Sequence, residues 1–204
     1  RIDPDSETTL ETIHSLLKNP SDSVRRSAVA ALNQPRFRIQ KVLPWLGESL
    51  KDPNIMVRRN AIMVLDTFRP ATAGLISILI SALGNQDAET RSEAANVLGK
   101  IGPDARAAIP ELIAVVNDTE AVQRENSVHL AASRGSSGQI WRNSSAAARS
   151  AAAEALGLID SGNREAVSAL FAALRDEKPN REAGSALAKM ALQSPEILPA
   201  LIKL

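Results

Sequence analysis

Cysteine and tyrosine are absent from this 204-residue chain, and aromatic residues make up only 2% of it. Without cysteine there are no disulfides, thiolate nucleophiles or thiolate metal sites, and the redox compartment stays open. Scarce aromatics remove most of the platforms on which a single-strand nucleic-acid binder stacks bases. Neither sign of charge dominates. The 24 Lys and Arg residues stand against 23 Asp and Glu, a net charge of +1, so no bulk field points to nucleic acid or a membrane surface. Long apolar runs are missing too: the most hydrophobic stretch, Gly74 to Gly84 (GLISILISALG), is about half a membrane span and reads as a buried helix. Two histidines, His14 and His129, are all the chain holds. They have no metal-ligand spacing, and no acids, bases and nucleophiles converge in the sequence. The expectation is therefore no enzyme, no metal and no cofactor. "RGSSGQ" (134–139) lacks the lysine and the length of a phosphate-binding loop and reads as plain loop. The chain starts at Arg1 and stops after "PEILPALIKL"; it reads as a piece of something longer, with no compartment assigned.

What the chain does have is a period of 33 residues. Leu17, Leu50, Leu83 and Val116 recur at that interval, as do Arg25, Arg58 and Arg91, and Leu32, Leu65 and Leu98. Three independent columns in one register mean stacked units that cannot bury their apolar faces alone. The leucine column resumes at Leu156, a step of 58, and at Leu187, a step of 31, which leaves about 25 extra residues in one place. Each unit reads as two helices. Ile109, Leu112, Ile113 and Val116 line one face of a first helix. Ala28, Ala61, Ala94, Ala152 and Ala183 form a column in the second helix, where alanine permits close helix approach. Pro44, Pro110 and Pro199 (LPWL, IPEL, LPAL) are read as first-turn prolines, whose missing N–H costs no hydrogen bond. Asn19, Asp52, Asn85, Asp118 and Asp176 fall just past the first helix, where their side chains accept from turn amides.

Units such as "ALGNQDAETRSEAANVLGKIGPDARAAIPELIAVVND" resemble HEAT repeats of the short kind also found in phycobilisome lyases, over roughly Thr9 to Leu204. The T-P-L-H signature of ankyrin repeats and the Trp/Tyr/Phe pattern of tetratricopeptide repeats are not present. The resemblance implies an all-α fold, a right-handed α-α superhelix of about five helical-hairpin repeats plus a partial sixth, forming a single solenoid domain over 1–204. It also implies a ladder between repeats, with Asp52, Asp118 and Asp176 facing Arg25, Arg58, Arg91 and Arg149. Iron-dependent hydroxylases built on HEAT-like repeats use His-Glu dipeptides as ligands, and none occurs here. Phycobilin lyase subunits bind a tetrapyrrole and a partner protein, which makes a chromophore lyase-type subunit a third reading, although no position here marks that activity.

Two regions carry the functional expectations. Between Arg25 and Arg59 stand eight cations against Glu48 and Asp52, and Arg36, Arg38 and Lys41 are the candidate phosphate contacts of the alternative reading, nucleic-acid binding through the basic N-terminal repeats. The extra residues are placed at about 119–146, between the two helices of the fourth repeat, because the second-helix signature returns in "AAARSAAAEALGLI". A rival alignment takes "EAVQRENSVHLAAS", with Arg124 in the arginine column, as the second helix and inserts 134–159 after it. Insertions in solenoids collect on one face, often the binding face. Trp141, with Arg142, Arg134 and His129 nearby in sequence, is either an anchor for a protein partner or part of a packed ornament. The leading expectation is a non-enzymatic protein-binding scaffold that uses its concave second-helix face and this insertion.

Overall fold

The computed structural model describes residues 7–34, 37, 39–68, 73–118, 144–175, 181–195 and 199. Among them are ten α-helices and no strand: α1 (Glu7–Leu16), α2 (Asp22–Ala31), α3 (Ile39–Ser49), α4 (Ile55–Thr67), α5 (Ala73–Leu83), α6 (Ala88–Ile101), α7 (Ile109–Asn117), α8 (Ser144–Ile159), α9 (Arg164–Arg175) and α10 (Arg181–Gln193). Consecutive helices pair as hairpins, and the second helices α2, α4, α6, α8 and α10 pack each on the next in one continuous row. The first helices α3, α5, α7 and α9 form a second layer. The molecule is an all-α HEAT-like solenoid whose core runs along the seam between the layers. The leucine columns supply that core: Leu32, Leu65, Leu98, Leu156 and Leu187 are fully buried, as are Leu46, Leu79 and Leu112 from the facing helices.

The hairpin turns repeat in atomic detail. The side-chain oxygens of Asn19, Asp52 and Asn85 each accept from the backbone N–H two residues on, at 2.8–2.9 Å. This local bond closes the turn without a left-handed residue, and no non-glycine residue among those described has positive φ. Two residues later a second column caps the second helix. Asn54 accepts from Met56 N–H and Asp87 from Thr90 N–H, each satisfying a donor left open at a helix start.

The proline reading needs one correction. Pro110 does sit in the first turn of α7, but α3 already begins at Ile39, so Pro44 is inside its helix. Pro44 and Gln40 both lie on the exposed side of α3, where water can satisfy the Gln40 carbonyl that loses its donor. In the fourth repeat the equivalent approach is a 3-10 segment, Gly102–Ala108, with a non-helical break at Ala105. Gly102 ends α6 at φ +71°, a conformation that a side chain would strain.

Where α6 meets α8, the seam is closed by small residues. A Cβ on Gly99 would stand 3.1 Å from the Ala155 Cα and 3.3 Å from its Cβ, and Ala94, Ala95, Ala152 and Ala153 are buried alongside. This is the most extensive helix–helix contact among the described residues. Close backbone approach is what an alanine and glycine stripe makes available.

Candidate functional site

Charge in this protein is organised between repeats. Arg25 on α2 donates from Nε and Nη2 to both carboxylate oxygens of Asp52, at 2.7 and 3.0 Å, while Nη1 donates to the Asn19 and Pro20 carbonyls at the end of its own turn. Arg58 repeats the inward half on Asp52 O and Pro53 O. Its outward half differs, because position 85 holds Asn. Arg58 turns instead to Asp87 at 3.3 Å and Thr90 Oγ1 at 3.2 Å. Arg91 holds Asn85 O and Gln86 O and reaches Ser145 Oγ on α8 at 3.1 Å. Arg149, buried on α8, donates to Val116 O at the end of α7. Each arginine therefore closes carbonyls at a first-helix end, and the three before Arg149 also touch the next hairpin.

A second set of ties lies on the second-helix face at a spacing of about 34 residues. Arg59 pairs with Glu89 at 2.8 Å and Glu93 at 3.2 Å, Lys100 with Asp66 at 2.7 Å, and Thr67 Oγ1 with Asn33 Oδ1 at 3.0 Å. The row continues at Lys189 and Glu154. Between these polar ties Met56 and Met63 stand out to solvent, Met63 at 65% exposure. On the first-helix side His14 stacks on Trp45, ring centroids 4.7 Å apart, joining α1 to α3. Trp45 is thus half-buried in a ring pair rather than enclosed in the core.

The carboxylates respond to these surroundings in opposite directions. Burial works to raise Asp52 and Asp87, but hydrogen bonds and the Arg25 and Arg58 charges outweigh it, and both are held below the ordinary carboxylate value. Glu93 goes the other way. Burial raises it more than Arg59 lowers it, and its Oε2 is buried with no hydrogen-bond partner. A depressed acid stabilises the fold above its unfolded value and loses that contribution as pH falls through the folded one; a raised acid is most compatible with folding at low pH. Glu93→Gln is therefore expected to raise the melting temperature at pH 7, with the gain shrinking toward pH 4. A pair of thermal melts at the two pH values checks this; a loss at pH 7 would show the Arg59 attraction to be the larger effect.

A cleft of about 1060 Å³ opens between α3 and α5 at the turns, lined by Lys51, Asp52, Arg58, Asn85 and Asp87 among others. Its half-buried charges are already committed to the ladder. Among the described residues no three His, Cys, Asp or Glu side chains cluster as metal ligands, and no helix is long and apolar enough to cross a membrane. Of the residues singled out in the sequence, Lys41 is exposed on α3. Arg36, Arg38, His129, Arg134, Trp141, Arg142 and Asp176 lie outside the described residues, as does Arg124 of the rival alignment.

A family model of HEAT repeats matches residues 43–132. This is a HEAT-repeat protein. Solved structures extend the same likeness over the chain. Human deoxyhypusine hydroxylase, in complex with glycerol, aligns with 92% of the chain at 20% identity and a TM-score of 0.51. An engineered protein aligns with 90% of it at 19% identity and a TM-score of 0.50, over 79% of its own length. This HEAT-repeat chain spans 63% of the hydroxylase's length, and likeness at such identity speaks of fold alone. No curated protein sequence matches.

Proposed function

We propose that the protein is a non-enzymatic, protein-binding HEAT scaffold whose docking surface is the second-helix face of the solenoid, extended by the segment 119–143 that joins α7 to α8. The observation that carries this reading is the exposure of Met63 and Met56 on a face whose polar side chains are already tied to one another across repeats. Those ties hold neighbouring helices at fixed spacing, while methionine offers an adaptable apolar contact suited to a protein partner. The cleft at the turns supplies no uncommitted acid–base pair, which favours a scaffold over an enzyme. Trp141 with Arg142, Arg134 and His129 would add anchor residues beside that face.

The ladder also weighs against the nucleic-acid alternative. Arg25, Arg58 and Arg59, three of the eight cations in the basic stretch, are paired with carboxylates. Of the candidate phosphate contacts, Arg36, Arg38 and Lys41, only Lys41 belongs to the described surface. Little duplex or single-strand binding is expected even at low salt; binding with a steep salt slope that Lys41→Glu reduces would support the alternative.

To test the scaffold reading, proteins captured by the wild-type chain are identified by mass spectrometry, and one of them is titrated against two variants. Met63→Glu places a charge on the exposed position and is expected to leave helicity intact while weakening binding at least about tenfold, the scale of an interface contact. The second variant removes 119–143 and stops before Ser144, because the buried Ser145 receives the Arg91 bond. Retained binding in both variants overturns the assignment of this face.

A further inference from the structure

We infer that the outer side of the first hairpin, α1 and α2, is an inter-repeat interface built to receive one further HEAT hairpin joined ahead of α1. The argument comes from following single columns through the array. Leu16, Ser49, Ala82 and Val115 occupy one position at intervals of 33. The last three are 7%, 3% and 7% exposed, whereas Leu16 is 37% exposed. Val57 and Thr90 are buried while Val24 is half-exposed, and Val64 and Val97 are buried while Ala31 is half-exposed. All three columns open at the same hairpin.

The first hairpin has its following neighbour in place, since α2 packs on α4 and His14 stacks on Trp45. What it lacks among the described residues is the hairpin that precedes each later unit. Leu16, Val24 and Ala31, with Ile13 and Ala28, line a shallow groove of about 300 Å³ on that side. The apolar character of these columns suits burial, and it is buried wherever a preceding hairpin exists.

A polar detail identifies the kind of occupant. Asn85 uses Oδ1 to close its own turn and donates from Nδ2 to Leu50 O, the last turn of the preceding first helix, at 2.9 Å. Asn19 occupies the same column and closes its turn in the same way, through Ser21 N–H. For its Nδ2, no described carbonyl stands in the place of Leu50 O. An apolar groove with a donor at this register continues the interface that joins the second hairpin to the third, so the shape that fits is a helical hairpin of this repeat type. Six residues stand ahead of α1 and five link α4 to α5, so a connector of ordinary length is available.

The test fuses a copy of residues 39–68, the hairpin that naturally precedes the Asn85-bearing unit, directly ahead of Arg1 and measures amide hydrogen exchange in α1 and α2. The fused hairpin is expected to slow exchange there by about tenfold or more, as burial of a formerly outer face raises the local opening free energy. Leu16→Glu is expected to have little effect on the unfused chain, since the side chain is exposed, and to cancel most of the gain in the fusion. Unchanged exchange on fusion overturns the inference. So does an unfused chain that sediments as a dimer and is dissociated by Leu16→Glu, because the occupant is then a second copy.

Discussion

Replacing Gly99 with leucine is expected to destabilise the protein by about 3 kcal/mol, the upper part of the range for overpacking a close-packed seam. The neighbour that a new side chain meets is backbone: the Ala155 Cα stands 3.1 Å from where a Cβ would be, and Leu158 Cδ1 stands at 3.3 Å. A flexible side chain could move aside, but a helix axis moves only by opening the seam. Gly99→Ala sets two effects against each other. Alanine is favoured over glycine inside a helix by about 1 kcal/mol, and the contact requires a shift of a few tenths of an ångström, so the net change is expected near zero. Urea unfolding of both variants measures the difference. Because α6 belongs to the third hairpin and α8 to the fourth, Gly99→Leu should also split a single transition in two, as hairpins on either side lose their shared interface. A leucine variant as stable as the wild type would mean that the helices are farther apart than described.

Arg91→Ala is the second large effect, expected at about 3 kcal/mol, the scale of removing a buried charged donor from several acceptors. Its guanidinium holds two carbonyls at the end of α5 and the buried Ser145 hydroxyl of α8. The partner lies 54 residues away in sequence, so this one side chain fastens the third hairpin to α8 across the segment 119–143. Arg91→Lys tests the geometry apart from the charge. An ammonium cannot present the planar fork that serves both directions, so lysine should restore less than half of the loss. Full rescue by lysine would show that charge alone carries the contact.

The apolar architecture could be read from the sequence because the packing repeats with it. Leu32, Leu65 and Leu98 are 33 residues apart and equally buried, and the Asn19, Asp52 and Asn85 turns follow the same register. Electrostatics was less legible for a physical reason. The excess of cations from Arg25 to Arg59 is an excess only along the chain; in space Asp87, Glu89 and Glu93 arrive from the next hairpin to meet Arg58 and Arg59. A linear window cannot see a partner some 30 residues away unless it is shifted by the period first. Applied to Arg59, that shift lands on Ser92, beside Glu93, so the signal was present once the register was known. Pro44 was misplaced because the L-P-x-L pattern marks a phase in the repeat, not the point at which helix begins. Met63 carried no signal, since an exposed methionine in a helix looks like one more core residue until its neighbours are known.

The arginine column also governs how this protein can change length. Each arginine grips its own hairpin with one set of nitrogens and the following one with another, so a hairpin meets its neighbours through residues that recur at the same phase. Removing one whole unit, such as residues 53–85, would bring Asp52 to the place of Asn85 and leave Arg25 facing the carboxylate that it already holds. Loss of a few residues within a second helix would instead rotate every later arginine off its carbonyls. Growth and shrinkage in whole hairpins, or at the turn where Arg149 clasps α7 from the far side of 119–143, are therefore the size changes that leave the remaining contacts in step.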